Sequence, residues 1–220
     1  MKVFIGVGHG GSDPGAVANN TKEKDLNLSI ALACRDELVR HGVSVKMSRD
    51  KDEYDPIGEE VNECNAYGPD LAVDIHNNAG GGDGGEVFYS HLGGKGKTLA
   101  ENILAEIVKT GQNSRGIKTR VNSQGKDYYA FIRNTTCPAT IVECCFIDNA
   151  SDLQILSTEG KRKEMGVAIA KGILKTLGVA YQSEKGYWKV QVGAYLYKEN
   201  AEAMQKKIKA VGFDAFIVKE

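Results

Sequence analysis

Residues 71–76 of this 220-residue chain read LAVDIH, and this run decides the fold class. A short, largely apolar run of this kind predicts a buried strand, which here ends on His76. A glycine-rich loop at 79–85 follows, and residues 86–90 (EVFYS) predict the next strand. The chain is therefore expected to contain a sheet.

Strands and helices alternate on both sides of this stretch. Apolar runs predict further strands at residues 2–7, 43–47, 128–135 and 139–147. Apolar residues at helical spacing predict helices at 24–40, 57–67, 97–110 and 159–177, and the polar stretch up to Lys126 predicts a loop. Such alternation indicates an α/β layered domain over residues 1–178.

Composition excludes several classes of protein. The chain has 28 Lys and Arg against 29 Asp and Glu, a formal net charge of −1, so no nucleic-acid partner is expected. The apolar run in the N-terminal MKVFIGVGHGG is too short for a signal peptide or a membrane span. We therefore expect that the protein is synthesised in the cytoplasm without a signal peptide and has no membrane partner. The five cysteines are odd in number and lack CxxC spacing, which favours a reducing compartment.

The C-terminal residues have a different character. Residues 179–186 predict a linker, and residues 187–220 predict a β-α-β unit with strands at 187–196 and 213–219 around a helix at 198–212. A unit of this size does not usually bury enough apolar surface to fold alone. We therefore expect it to dock either on a second copy of the same tail or on the α/β domain.

The turn at residues 6–11, GVGHGG, matches the dinucleotide fingerprint G-x-G-x-x-G. In that fingerprint a helix opens directly after the glycines, whereas here the helical pattern begins only near Lys24. The alternative is a glycine-rich turn that lets the backbone bend after the first strand. A nicotinamide-dependent oxidoreductase is therefore a weaker functional alternative.

Four residues can bind metal or transfer protons; three lie at predicted strand or helix ends, and the fourth lies within a predicted strand. They are His9, Glu23, His76 and Glu143. Loops beyond the carboxyl ends of strands meet at one crevice of an open α/β sheet. Two histidines and one glutamate would leave a fourth tetrahedral position for water, as in catalytic zinc sites. The alternative is that both histidines are hydrogen-bonded turn residues.

Glu143 is unusual because it interrupts the apolar run ATIVECCFI. If it faces the core, burial raises its pKa toward neutrality, which suits a general base. The alternative is a glutamate that faces the edge of the sheet or pairs with an arginine, with Arg133 as one available partner. The neighbouring Cys144 and Cys145 are expected to be inert core thiols, because a reactive thiolate needs an exposed, electropositive setting.

Four segments in order resemble the zinc-dependent N-acetylmuramoyl-L-alanine amidases of the amidase-3 type. They are GHGGSDPGA (8–16), KEKDLNLSIA (22–31), DIHNNAG (74–80) and IRNTTCPATIVECCFIDN (132–149), and the resemblance covers about residues 1–178. It implies a twisted mixed sheet flanked by helices. It also implies hydrolysis of the amide that joins N-acetylmuramic acid to L-alanine in peptidoglycan.

The resemblance implies roles for individual residues. Zn²⁺ would be held by His9, Glu23 and His76, with Glu143 as the catalytic acid and base. Asn77 and Asn78 follow a metal ligand, so they either orient the site or form the turn before the glycine loop.

One position departs from the family pattern. Glu60 stands where an arginine is expected, which puts a helix contact in question but not the metal site. The functional alternative from another class is a non-catalytic wall-binding protein, and the complete set of metal-site residues argues against it.

Residues 187–220 resemble half of a sporulation-related (SPOR) repeat, a module that binds peptidoglycan glycan strands. A full module is a doubled β-α-β unit, so the tail could complete itself in a homodimer through the same tail of a second chain. The enzyme would reach the wall after release through a pore, as for a phage endolysin, or by cell lysis, as for an autolysin.

Overall fold

The computed structural model describes residues 1–183 and 192–218, and the chain forms two compact units, Met1–Gln182 and Ser183–Glu220. The larger unit is a sheet with helices on both faces. Among the described residues, no helix combines the length and the apolar character that crossing a membrane would require.

The larger unit is built on a six-stranded mixed sheet. Its strands follow the order β4-β1-β5-β8-β6-β7, with β6 antiparallel to β8 and the other neighbours parallel. The two-residue strands β2 and β3 pair separately. This architecture confirms the predicted fold class for the larger unit. The strands are β1 (Lys2–Val7), β2 (Val17–Ala18), β3 (Thr21–Lys22), β4 (Ser44–Met47), β5 (Leu71–Asn78), β6 (Gly85–Tyr89), β7 (Ser114–Lys118) and β8 (Ala139–Phe146).

Helices cover the two faces of the sheet unequally. Helices α1, α3 and α6 pack together over one face, and α2 and the short α4 lie on the other. α6 has a local start and stop, because the Thr158 hydroxyl accepts from the Lys161 N–H and Gly178 takes a left-handed φ of 72°. The helices are α1 (Glu23–Arg40), α2 (Ile57–Tyr67), α3 (Gly94–Val108), α4 (Ala130–Asn134), α5 (Ala150–Leu153) and α6 (Glu159–Leu177), with a 3₁₀ turn at Gln154–Leu156.

The face under α2 and α4 changes character along the strands. Phe4, Ala72 and Ile141 belong to the small apolar core beneath these helices. Further along β5 and β8, the same face carries His76 and Glu143, because side chains two residues apart on a strand share a face. The polar site therefore lies on this face, beyond the residues that these two helices cover.

Two predictions for this unit are wrong. Residues 128–135 form no strand, because Ala130–Asn134 is the helix α4, which buries Phe131 and Ile132. A short apolar run does not distinguish a buried helix from a strand by periodicity. The strand Ser114–Lys118 lies within the predicted loop, and its sequence SRGIK lacks an apolar pattern because it forms the sheet edge.

The smaller unit contains the helix α7 (Lys198–Ala210), as predicted. The predicted strand at 187–196 falls partly on residues 187–191, which lie outside the described residues. The described parts of both predicted tail strands, 192–196 and 213–218, form no strand, so this part of the β-α-β prediction is wrong. A strand needs a paired neighbour, and local propensity does not supply one.

The smaller unit leaves large apolar side chains exposed. α7 buries none of its residues, and Phe213 and Phe216 are 70% and 73% exposed. These exposures agree with the expectation that the tail is too small to form its own core. The division into residues 1–178, 179–186 and 187–220 stays a prediction, and the compact units divide after Gln182.

Candidate metal centre and catalytic carboxylate

The structure brings the four predicted site residues together. His9 lies in the turn after β1 with a left-handed φ of 62°, and Glu23 is the first residue of α1. His76 lies in β5 and is the register partner of Glu143 in β8. β1, β5 and β8 are parallel, so these residues converge at the carboxyl end of the sheet.

Three of these residues present donor atoms to one point. His9 Nε2 lies 3.2 Å from Glu23 Oε2, and His76 Nδ1 lies 3.0 Å from Glu23 Oε1. One ligand atom from each residue can be chosen so that all lie within 4.8 Å of one another. Ligand atoms on a tetrahedral zinc ion are about 3.4 Å apart, given bonds near 2.0–2.1 Å. The donor set therefore fits a zinc ion.

Two aspartates hold the rings of the histidines. Asp13 Oδ2 lies 2.8 Å from His9 Nδ1, and Asp74 Oδ2 lies 3.1 Å from His76 Nε2. Each imidazole can donate this N–H to the aspartate and turn its other nitrogen toward Glu23. Asp13 and Asp74 were not predicted; their signal in the sequence is only their position four and two residues from a histidine.

Glu23 is ionised in this setting. It is 4% exposed, and burial alone would raise its pKa, but hydrogen bonds to His76 and His9 lower the pKa overall. The hydrogen bond that His9 donates to Glu23 raises the pKa of His9. Burial lowers the pKa of His76, but the charge of Asp74 and the hydrogen bonds to Asp74 and Glu23 together raise it overall. The site therefore favours a positive charge among these groups, which a bound cation also supplies.

Glycine is required where the histidine rings meet the backbone. A Cβ on Gly8 would lie 2.1 Å from His76 Cε1, and a Cβ on Gly15 would lie 2.6 Å from both Glu23 Oε2 and His9 Cδ2. The glycines of the first turn thus make room for the rings. No helix begins between this turn and Glu23, so the structure favours the turn interpretation over the dinucleotide fingerprint.

A buried arginine supports the same turn. Arg49 is 1% exposed, and its guanidinium donates to the carbonyls of Val7, Gly8 and Lys24 at 3.1, 3.2 and 2.9 Å. These bonds tie the chain after β1 to the start of α1, and so fix His9 relative to Glu23. No local pattern in the sequence indicates this role for Arg49, because its partners are backbone groups distant in the sequence.

Glu143 has the properties of a proton-transfer group. Burial raises its pKa to about 7, although the nearby His76 lowers it in part. Its Oε2 is buried and accepts no hydrogen bond from the described residues. Arg133 is not its partner, because that side chain donates to the backbone carbonyls of Asp127 and Tyr128 at 2.8 and 2.6 Å. The alternative of an Arg133-paired glutamate is therefore wrong.

The adjacent thiols are core residues. Cys144 and Cys145 are both fully buried, and burial raises the pKa of each thiol. The Cys145 thiol donates to Asn77 Oδ1 at 3.2 Å. The structure therefore gives no thiolate nucleophile at this position, in agreement with the sequence prediction.

Glu60 reaches closer to the metal centre than its position in α2 suggested. A Cβ on Gly6 would lie 2.1 Å from Glu60 Oε1 and 2.8 Å from Asp74 Oδ1, so the two carboxyl groups meet over this glycine. Burial, and then the charge of Asp74, raise the pKa of Glu60 well above its usual range. Because Asp74 holds His76, the departure lies next to the metal site, where the three donor residues still converge.

The two asparagines after His76 have different tasks. The Asn77 N–H donates to Glu23 Oε1 at 3.1 Å, and its side chain donates to Asn27 Oδ1 at 2.8 Å. Asn77 therefore orients Glu23. Asn78 Oδ1 accepts from the Ala79 N–H, which is turn chemistry, and its amide donates to Glu86 at 3.1 Å.

Comparison with known proteins agrees with this geometry. The profile of the family described as N-acetylmuramoyl-L-alanine amidase matches residues 3–175. The chain belongs to this family. The family resemblance and the amidase activity predicted from the sequence are thereby confirmed. A profile described as SPOR domain matches residues 166–219 of the amidase, so the match begins within α6, the last helix of the larger unit.

Individual relatives cover most of the amidase. A sporulation-specific N-acetylmuramoyl-L-alanine amidase of Bacillus subtilis is 35% identical over 99% of this chain and 84% of its own length. Cwp6 from Clostridium difficile superposes with a TM-score of 0.79 and 42% identity, over 80% of this chain and 29% of that protein. The catalytic domain of CwlV, an N-acetylmuramoyl-L-alanine amidase from Paenibacillus polymyxa, gives a TM-score of 0.73 and 28% identity, over 81% and 99%.

Proposed function

We propose that this amidase cleaves the bond between the lactyl group of N-acetylmuramic acid and L-alanine with a zinc ion held by His9, Glu23 and His76 and with Glu143 as acid and base. One observation carries the proposal. The three donor residues converge within 4.8 Å, and Glu143, beside His76, has a buried, unpartnered oxygen.

The residues present fit the metal by number, type and support. Two imidazoles and one carboxylate give the ligand set and net charge of a catalytic zinc site. Asp13 and Asp74 would hold the imidazoles in the orientation that frees Nε2 of His9 and Nδ1 of His76. Zinc, when bound, polarises the scissile carbonyl and acidifies a water molecule.

Glu143 would perform the proton transfers. With a pKa of about 7, its carboxyl group is present in both protonation states at neutral pH. Ionised Glu143 accepts a proton from the attacking water, and the protonated group returns it to the nitrogen of the leaving L-alanine. Its unpartnered Oε2 is free to make these hydrogen bonds.

Peptidoglycan is both substrate and binding target in this proposal. The SPOR match supports binding of the glycan strand by residues 187–220, and the exposed Phe213 and Phe216 offer apolar surface for a homodimer through the same unit. Sedimentation of the full chain at micromolar concentration tests the dimer, and a monomer would contradict it. We also propose that the enzyme reaches the wall after release through a pore or by cell lysis. Fractionation of the producing culture, with amidase activity measured in each fraction, tests this route.

Digestion of purified peptidoglycan, with and without a chelator, tests the reaction. Mass analysis should find free stem peptides with N-terminal L-alanine and intact sugar chains, and the chelator should abolish their release until zinc is restored. Split sugars would contradict the cleavage site. Undiminished release after the metal is removed, confirmed by metal analysis, would contradict the zinc assignment.

A further inference from the structure

Two cationic side chains of β7 bind the strand neighbour of Glu143, and the proposed mechanism does not use them. Glu86 in β6 is the register partner of Glu143 in β8. Both Arg115 and Lys118, from the edge strand β7, bind the same oxygen of Glu86, with Arg115 Nε at 2.7 Å. Glu86 is 4% exposed, whereas the two cationic side chains are about one third exposed.

An irregularity in β7 places both cations on one side. Gly85 pairs with Ser114 and Val87 pairs with Ile117, so β7 advances three residues while β6 advances two. Gly116, with a φ of 85°, lies within the extra step. In a regular strand, residues three apart point to opposite faces, and the added residue cancels that alternation. Arg115 and Lys118 therefore reach Glu86 from the same face.

The Arg115 guanidinium is held with part of its hydrogen-bonding capacity unused. It lies 4.8 Å from the ring centroid of Phe146, and a Cβ on Gly82 would lie 2.4 Å from the same ring. The ring thus lies between the glycine loop and the guanidinium. Nε donates to Glu86, and neither Nη atom donates to any residue in the described ranges. The free edge is the one that binds a carboxylate in a bidentate manner.

The charges do not cancel at this point. One carboxylate, Glu86, faces two cations, which leaves one net positive charge next to the site of reaction. Lys118 offsets the charge of Glu86, so Arg115 keeps its attraction for a second anion. Burial alone would raise the pKa of Glu86, but Lys118 and Arg115 lower it overall, so the pair is held by an ionised group.

We infer that Arg115, positioned by Glu86, Lys118 and Phe146, binds a carboxylate of the stem peptide within three residues of the scissile amide. The inference rests on the proposed function, which places that amide at Glu143. Arg115 lies two strands away from Glu143, or about 10 Å at ~4.8 Å per strand. An extended peptide covers about that distance in three residues, at ~3.4 Å each.

Soluble N-acetylmuramoyl tripeptides test the inference with the zinc-loaded full chain. In one substrate the carboxylates of the second and third residues are free, and in the other they are carboxamides. We expect a KM about tenfold higher for the carboxamide, because a charge-assisted pair of hydrogen bonds is lost. The ratio should shrink in high salt. Because these substrates carry no other wall polymer, any preference comes from the stem peptide.

Arginine variants assign the preference to one side chain. In Arg115→Gln the ratio of the two KM values should fall from about ten to about one, and Arg115→Lys should give an intermediate ratio. Arg120→Gln is the matched control, because Arg120 also lies over an aromatic ring, 3.7 Å from the Tyr128 centroid. It follows the far end of β7, so the control should keep a ratio near ten.

Different outcomes contradict the carboxylate site and the proposed function. Equal KM values for both substrates in the parent enzyme, with hydrolysis intact, would overturn the carboxylate site alone. A ratio near ten in Arg115→Gln would do the same. Absence of hydrolysis with either substrate would overturn the proposed function, and the inference with it. A thermal melt of each variant, together with its kcat on the carboxamide, distinguishes loss of recognition from loss of fold.

Discussion

Replacing Glu143 by glutamine should abolish activity and stabilise the metal-free protein at the same time. Glutamine has the same shape but neither accepts nor returns a proton, so kcat should fall by about 10²–10⁴-fold. The buried Oε2 has no partner to lose among the described residues. The substitution therefore removes a function without removing a native hydrogen bond.

The stability effect follows from the raised pKa. Burial moves the pKa of Glu143 from 4.5 to about 7, so the native state binds this proton more tightly than the unfolded state. Ionisation in the native state costs about 3 kcal/mol at 1.36 kcal/mol for each pH unit. This cost is absent below about pH 4.5, grows between pH 4.5 and 7, and is complete above pH 7. Glu143→Gln should thus gain up to ~3 kcal/mol at pH 8, or ~6–12 °C in Tm.

Thermal melts of chelator-treated protein at pH 4 and pH 8 measure this gain. The parent and Glu143→Gln should melt together at pH 4 and separate at pH 8, with the variant higher. Glu164→Gln, an exposed position on α6, is the control and should change neither Tm nor activity. A variant that stays active, or that shows the same Tm difference at both pH values, would refute the reasoning.

Three other predictions concern the metal and the tail. His76→Ala should lower zinc content below one per chain by elemental analysis, and unchanged stoichiometry would exclude His76 as a ligand. Asp13→Asn leaves His9 in place but weakens its hydrogen bond, so zinc affinity should fall about 10–100-fold in a competition titration; equal affinity would remove Asp13 from the site. Deletion of residues 187–220 should weaken binding to purified cell walls more than hydrolysis of a soluble muropeptide, and equal wall binding would contradict a targeting role.

The site residues could be predicted from the sequence because of the family resemblance. His9, Glu23, His76 and Glu143 lie in four segments whose order and residue types are specific, although the gaps between them form no local metal motif. Buried strands and amphipathic helices were likewise predictable, because their periodicity is local. The bounds of the helix Glu159–Leu177 could be predicted, because Gly178 is a residue type that commonly ends a helix.

Contacts between distant segments could not be predicted. Nothing local in residues 130–134 or 114–118 indicates a helix or an edge strand, because tertiary packing and pairing decide both. The same holds for Arg133, whose partners are backbone carbonyls, and for Glu60, which meets Asp74 only in the folded chain.

The sequence by itself determined the layered α/β class and the chemistry of the donor set. Only the tertiary structure decided which groups orient the histidines, how far Glu143 is desolvated, and that a glycine bulge in β7 turns Arg115 and Lys118 onto one face. The physical reason is the separation in sequence of the residues that interact. Strand and helix patterns reflect interactions a few residues apart, whereas pKa shifts and ion pairs depend on distances that exist only after residues far apart in the chain have packed together.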